Sequence, residues 1–143
     1  MNNPAQLEKI LYTANAAAIS REDRVKSSDG NLDVALSVPK GLGGPGGSGT
    51  NPEQLFAGGY AACFGSAVAH VARLKKIKTG PVHIHATVNI GPVGQGFGLS
   101  AELVADIPEL PRDQAQALLE AAHQVCPYSN ATRGNIEVNI RLA

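Results

Sequence analysis

The sequence predicts a single α+β domain over residues 1–143, in which antiparallel sheet packs around two central helices. Three observations predict this class. Segments in which apolar and polar residues alternate, as in strands, lie before, between and after two segments with helical character. The length of 143 residues fits one domain, and the 43% of hydrophobic residues is enough for one core. No internal repeat or linker divides the chain.

The residue patterns in the N-terminal third of the chain predict two strands and a glycine-rich loop. Residues 9–17 and 31–38 have strand patterns, the second because apolar side chains alternate along it. Residues 20–30 between them are polar and end in a Ser-Asp-Gly turn signal. The loop at 41–49 contains six glycines in nine positions, so we expect no regular element there.

A long apolar helix is predicted to begin at Asn51. Asn51 is a favourable capping residue, and Pro52 is favourable at the first helical position. Residues 55–72 are apolar or small on every face, which is typical of a central core helix or of a membrane span. Glycines, a serine and His70 interrupt this stretch, and no other segment could form a membrane bundle with it. We therefore expect a core helix and no membrane partner.

The residue patterns in the C-terminal half of the chain predict three further strands and a second helix. This helix must end near Cys126, because the residue before a proline is disfavoured in helical conformation. At 82–90 the apolar residues occupy one face of the strand, and His83 and His85 lie on the other. In order, the elements are a strand at 82–90, a glycine-rich turn at 91–98, a strand at 99–107, a helix from Pro111 to about Cys126 and a strand at 136–142.

Charge and composition exclude some functions and point to a compartment. Twelve basic and twelve acidic residues balance, whereas a nucleic-acid binder normally has a basic excess, so we expect no nucleic-acid partner. The first ten residues lack the basic start and apolar run of a secretory signal, so a cytoplasmic location is expected. There, a cysteine pair is more often catalytic or redox-sensing than a permanent bridge.

The two cysteines are the candidate reactive groups. Cys63 lies about three turns into the apolar helix, where burial raises the pKa of a thiol and the positive helix end is too distant to lower it. A reactive Cys63 therefore needs a cation from elsewhere, and Arg21 and Arg24 are candidates; an inert, packed thiol is the alternative. Cys126 ends a helix before Pro127, at a place where a side chain can move.

Other kinds of site have weaker support. Cys63 with His70 and His123 with Cys126 could in principle hold zinc, but neither pair has a short metal-binding spacing, so no metal is expected. The glycine-rich loop lacks the lysine of a phosphate-binding loop, and no Gly-x-Ser-x-Gly elbow is present.

Two stretches carry a resemblance to a known family. One runs from Gly49-Thr50-Asn51-Pro52-Glu53 to Ala62-Cys63-Phe64, and the other from Ala122-His123-Gln124-Val125-Cys126-Pro127-Tyr128 to Arg133-Gly134-Asn135. They resemble the organic hydroperoxide resistance (Ohr) proteins of the OsmC-like superfamily, and the similarity runs nearly end to end. The second stretch separates Ohr proteins from the OsmC branch, so the resemblance is specific.

The resemblance implies a bacterial, thiol-dependent peroxidase with the OsmC-like fold, assembled as an intertwined homodimer with helices inside and sheets outside. Cys63 falls on the peroxidatic cysteine and Cys126 on the resolving one, which together form a transient disulfide. Arg21 falls on the catalytic arginine and Glu53 on its carboxylate partner. No cofactor is bound, and lipoyl groups on a partner protein serve as the external dithiol. The polar stretch at 20–23 departs from relatives that have glycines beside the arginine.

Two further expectations concern the surroundings of Cys63. Phe56, Tyr60 and Phe97 would provide apolar walls that favour organic, including fatty-acid, hydroperoxides. Glu53 and Cys63 are ten residues apart, about 15 Å along a straight helix. Either Arg21 bridges them, the helix start is bent, or Glu53 serves the other subunit; we expect a site shared across the dimer. The alternative function is a redox-sensing or ligand-binding module without turnover.

Overall fold

The computed structural model describes residues 4–143, which form two compact units, one ending at Asn51 and the other spanning Pro52–Ala143. These residues contain six strands in two sheets and three α-helices, so the α+β class is confirmed. The single domain over residues 1–143 and the intertwined homodimer stay predictions.

The first unit is built on a three-stranded antiparallel sheet. Its strands, in spatial order, are β1 (Ala16–Ala18), β2 (Arg24–Ser27) and β3 (Asp33–Ala35). The polar stretch at 20–30 contains β2, a strand that the sequence did not predict and that pairs with both of its neighbours. Its polar side chains bond across the sheet: Arg24 Nε donates to Asp33 Oδ1 at 2.8 Å.

The long strand expected at 9–17 is reduced to the three residues of β1. Residues 9–15 adopt no strand, and their apolar side chains are exposed: Ile10 is 72% and Leu11 86% exposed. The glycine-rich loop is irregular as expected, apart from a single 3-10 turn, Lys40–Leu42, at its start.

The second unit combines three helices with a mixed sheet. Its elements are α1 (Pro52–Leu74), β4 (His83–Val93), β5 (Gly96–Asp106), α2 (Arg112–Val125), α3 (Pro127–Thr132) and β6 (Glu137–Leu142). The strand order is β4-β5-β6, with β4 antiparallel to β5 but β6 parallel to β5. The prediction of antiparallel sheet was therefore wrong for the last pair, because α2 and α3 carry the chain back before β6 begins.

The predicted turn at 91–98 is much shorter in the structure. Val93 pairs with Gly96, so only Gly94 and Gln95 connect the two strands. Gly94 has a φ of +56°, which glycine adopts without strain. Backbone pairing across the hairpin extends both strands through glycines that have little strand propensity of their own.

The core of the second unit lies between the helices and the inner face of the sheet. As predicted, Ile84, Ala86 and Val88 of β4 face inward, and His83 and His85 are exposed. The largest fully buried side chains are those of Tyr60, Phe64, Val68, Leu103, Leu118, Cys126 and Ser129. Within residues 4–143, α1 is the one helix long and apolar enough to cross a membrane, by length and composition only. Its packing against β4, α2 and α3 fits the expected core helix.

Candidate active site

The two cysteines, 63 residues apart in sequence, lie in contact. Cys63 is on α1, and Cys126 is at the junction between α2 and α3. Their sulfur atoms are 3.5 Å apart, and both cysteines are free thiols. The structure thus brings together the two residues on which the predicted redox chemistry depends.

Cys126 occupies a more confined position than the sequence indicated. Its backbone is extended, with φ −65° and ψ 122°, so α2 ends before Pro127 as predicted. However, α3 begins at Pro127 at once, and the side chain of Cys126 has no exposed surface. In this structure the Cys126 thiol is packed in the core, and the expectation that its side chain can move stays a prediction.

The surroundings of Cys63 within the second unit mostly oppose ionisation. Burial raises the pKa of the Cys63 thiol, because the protein interior solvates a thiolate poorly. A hydrogen bond from the backbone N–H of Tyr128 lowers this pKa, and the neighbouring Cys126 sulfur raises it further. The sum is a pKa above the ordinary value, so a nucleophilic Cys63 requires a cation, as the sequence predicts.

The two candidate cations are both in the first unit. Arg24 is on β2 and forms an ion pair with Asp33 at 2.8 Å, with about half of its side chain exposed. Arg21 lies between β1 and β2 and is half-buried. The residue before it, Ser20, has a φ of +50°, a left-handed conformation that favours glycine. A glycine at this position would adopt the same conformation without strain.

Glu53 lies in the first turn of α1 and is half-buried. The helix continues without a break from Pro52 to Leu74. A break at its start therefore does not bring Glu53 to Cys63, and the separation of about 15 Å along the axis holds. Of the three arrangements considered from the sequence, bridging by Arg21 and service to a second subunit remain.

Three aromatic rings form a cluster beside Cys63, defined as Phe56, Tyr60 and Tyr128. Their centroids are 5.7–6.2 Å apart, in tilted or edge-on contact. Tyr60 is fully buried, so a substrate would reach its ring only if the cluster opened. Phe97, the third predicted wall residue, is 79% exposed in the β4–β5 hairpin and lies outside this cluster.

Gly59 allows Tyr128 to lie directly against α1. A β-carbon at Gly59 would stand 2.7 Å from the Tyr128 hydroxyl oxygen, closer than real β-carbons approach other atoms. An open groove of about 350 Å³ is lined by Cys63, Ser66, Ala67, His70, Val125 and Pro127. Small molecules can therefore approach Cys63 from this groove.

Sequence reasoning missed three residues around the cysteines, namely Tyr128, Ser129 and Thr132. All three belong to α3, which the sequence did not predict. The Tyr60 hydroxyl lies 2.8 Å from Ser129 Oγ and 3.3 Å from Thr132 Oγ1. Pro127 was the available signal, since proline is favoured at the first position of a helix.

The four side chains considered as zinc ligands do not form a metal site. Among residues 4–143, no group of three or more His, Cys, Asp or Glu side chains is placed to hold a metal ion. Burial and the neighbouring Arg133 guanidinium also lower the pKa of His123, because both disfavour positive charge there.

Known proteins similar to this chain agree on one family. The family described as OsmC-like protein matches residues 44–141. The organic hydroperoxide resistance protein of Xanthomonas axonopodis pv. citri is 55% identical over 141 residues, covering 97% of this chain and 99% of that protein.

Solved structures extend the similarity to the fold. The crystal structure of an organic hydroperoxide resistance protein from Elizabethkingia anophelis has a TM-score of 0.90 and 51% identity, covering 94% of this chain and 98% of that chain. Bacillus subtilis OhrB has a TM-score of 0.84 and 41% identity, covering 94% of this chain and all of that one.

Proposed function

Because the chain belongs to the OsmC/Ohr superfamily as an organic hydroperoxide resistance protein, we propose that it is a cysteine-based peroxidase that reduces organic hydroperoxides to alcohols. The observation that carries this proposal is the 3.5 Å contact between the Cys63 and Cys126 sulfur atoms. A disulfide needs the two atoms at about 2.05 Å, so an approach of about 1.5 Å completes the bond. Side-chain rotation with a small backbone adjustment can supply such a movement.

The reaction proceeds in three steps. The Cys63 thiolate attacks the hydroperoxide, a sulfur–oxygen bond forms, the oxygen–oxygen bond breaks, and the departing alkoxide takes a proton and leaves as the alcohol. The Cys126 sulfur then attacks the Cys63 sulfenic acid, which forms the disulfide and releases water. An external dithiol finally reduces this disulfide by thiol–disulfide exchange and is itself oxidised. No cofactor is bound in this scheme, and lipoyl groups on a partner protein are the proposed dithiol.

Arg21 and Glu53 supply the charge that Cys63 lacks. The arginine remains positively charged and stabilises the thiolate, while the carboxylate holds its planar fork through paired hydrogen bonds. The length of unbroken helix between Glu53 and Cys63 supports a homodimer in which Glu53 acts on the site of the other subunit. A dimer structure with each Glu53 nearest the Cys63 of its own chain would contradict that part of the proposal.

The apolar surroundings favour organic over inorganic hydroperoxides. Phe56 and Tyr128 present ring surface beside Cys63, and bulky alkyl or fatty-acid groups gain by covering such surface. Tyr60 supports these rings from within the core. Phe97 contributes only if its exposed ring reaches the substrate, for example from a second subunit. We place this activity in the bacterial cytoplasm, where dithiol reductants keep the pair cycling.

Steady-state turnover tests the proposal directly. The purified protein is expected to consume many equivalents of cumene hydroperoxide with dihydrolipoamide, and fewer with dithiothreitol or glutathione at equal thiol concentration. Loss of peroxide is measured with time, and fatty-acid hydroperoxides are compared with hydrogen peroxide in the same assay. A single stoichiometric oxidation with no further consumption would instead identify a redox sensor, the alternative function.

Replacing Arg21 with alanine is expected to move the activity to higher pH. Burial already raises the pKa of Cys63, so loss of the cation raises it further and less thiolate is present at pH 7. An opposite charge at contact distance shifts a pKa by about one to three units, so the rate at neutral pH should fall about tenfold to a thousandfold. The rate should recover partly in alkaline buffer. The matched control is Arg24→Ala, and an unchanged pH–rate profile for Arg21→Ala would remove Arg21 from this role.

A further inference from the structure

Two contacts between α1 and the α2–α3 junction lie side by side. Tyr60 and Cys63 are three residues apart on α1, so their side chains occupy the same helix face, one turn apart. Their partners, Ser129 and Cys126, are likewise three residues apart. The 2.8 Å contact between the Tyr60 and Ser129 oxygen atoms therefore stands about one turn from the 3.5 Å contact between the two sulfur atoms.

The hydroxyl contacts form a closed, buried network. Tyr60 and Ser129 have no exposed surface, and Thr132 has 5%. The Tyr60 oxygen contacts both Ser129 Oγ and Thr132 Oγ1, and Thr132 Oγ1 donates to the Tyr128 carbonyl at 2.9 Å. Opening the network would leave buried hydroxyl groups without partners, which is energetically costly. The network thus fastens α3 to α1 at a fixed separation.

The position of α3 depends on such anchors. With six residues, it is far too short to be a stable helix by itself. It begins at the residue after Cys126, so any displacement of α3 moves the Cys126 sulfur. The chain has no flexible spacer that would separate the two.

We propose that Tyr60, Ser129 and Thr132 are positioning residues for the resolving step: they hold α3 so that Cys126 captures the Cys63 sulfenic acid before a second hydroperoxide does. This inference rests on the proposed function. The competing reaction joins the sulfenate sulfur to an oxygen of the second hydroperoxide, breaks its oxygen–oxygen bond, and yields a sulfinic acid and an alcohol. When the hydrogen bonds hold α3 in place, the disulfide and water are favoured. When they are removed, the sulfinic acid is favoured.

The fate of the sulfenic acid is therefore the quantity to measure. The protein is cycled with dihydrolipoamide at increasing cumene hydroperoxide, and intact mass gives the concentration at which half of the Cys63 is sulfinic acid. We expect this concentration to fall about three- to tenfold in Ser129→Ala, which removes one buried hydrogen bond. In Tyr60→Phe this concentration should fall at least as far, because the change removes the contacts with both Ser129 and Thr132. The double variant should be little worse than Tyr60→Phe alone, because Tyr60→Phe already removes the bond to Ser129.

A control variant in the sheet distinguishes the positioning effect from a general loss of stability. Leu103 is fully buried in β5, and Leu103→Val is expected to lower the melting temperature while it removes none of the hydroxyl groups of the network. The control is expected to keep the wild-type ratio of disulfide to sulfinic acid. If Ser129→Ala and Tyr60→Phe also keep it, while the wild type forms the Cys63–Cys126 disulfide, the positioning role is overturned and the proposed function stands. If the wild type forms no such disulfide, the proposed function fails and the positioning role with it.

Discussion

Replacing Cys63 with serine is expected to abolish hydroperoxide consumption, with a rate loss of about a thousandfold or more. Serine nearly matches cysteine in size, so the packing around α1 should be kept. Its hydroxyl does not ionise in the working pH range and is a far weaker nucleophile than a thiolate. Peroxide consumption with dihydrolipoamide is the measurement, and circular dichroism confirms that the variant is folded.

The Cys126 thiol that remains in the variant serves as an internal control. Cys63→Ser retains the Cys126 thiol, which has no exposed surface and should react slowly with hydroperoxide and with alkylating reagents. Turnover by the purified Cys63→Ser variant that persists would assign the nucleophile to another group of the protein, and the proposed mechanism would be wrong.

Replacing Cys126 with serine is expected to separate the first turnover from all later ones. The Cys126 sulfur raises the pKa of Cys63, so its removal should lower that pKa and increase the thiolate fraction at neutral pH. Sulfenic acid should therefore form at least as fast as in the wild type. Without the resolving thiol, the sulfenic acid persists or proceeds to sulfinic acid, and multiple turnover stops after about one equivalent.

Rapid mixing of Cys126→Ser with one equivalent of hydroperoxide measures the rate of the first oxidation of Cys63, and intact mass identifies the product. Sulfenic acid trapped by dimedone at one per chain is the expected result. Undiminished cycling of Cys126→Ser with dihydrolipoamide would mean that the external dithiol resolves the sulfenic acid directly. The 3.5 Å sulfur contact would then have no catalytic role.

Local patterns predicted the elements whose residues repeat regularly. The apolar run of α1, the alternation in β4 and the proline after Cys126 each give a signal within a few neighbouring residues. β2 was missed because its side chains are mainly polar, and its stability comes from pairing on both sides. α3 was missed because six residues are too few for a helical period, and contacts with distant Tyr60 hold it in place.

Only part of the candidate site was predicted, because its residues are brought together by contacts between distant parts of the chain. No spacing rule connects Cys63 to Cys126, and only the resemblance to the Ohr family placed them in one reaction. The buried hydroxyls of Ser129 and Thr132 had no signal, because serine and threonine are common in loops as well as cores. The parallel pairing of β6 depends on the path of the chain through α2 and α3, which residue patterns do not determine.

The unequal exposure of the two cysteines also predicts the direction in which the oxidised pair is reopened. An incoming thiolate must approach a disulfide in line with the bond and join the sulfur that it can reach. Cys63 borders the groove, whereas Cys126 is sealed in the core. We therefore expect the reductant to form its mixed disulfide with Cys63 alone, so that Cys126 always departs as the leaving group.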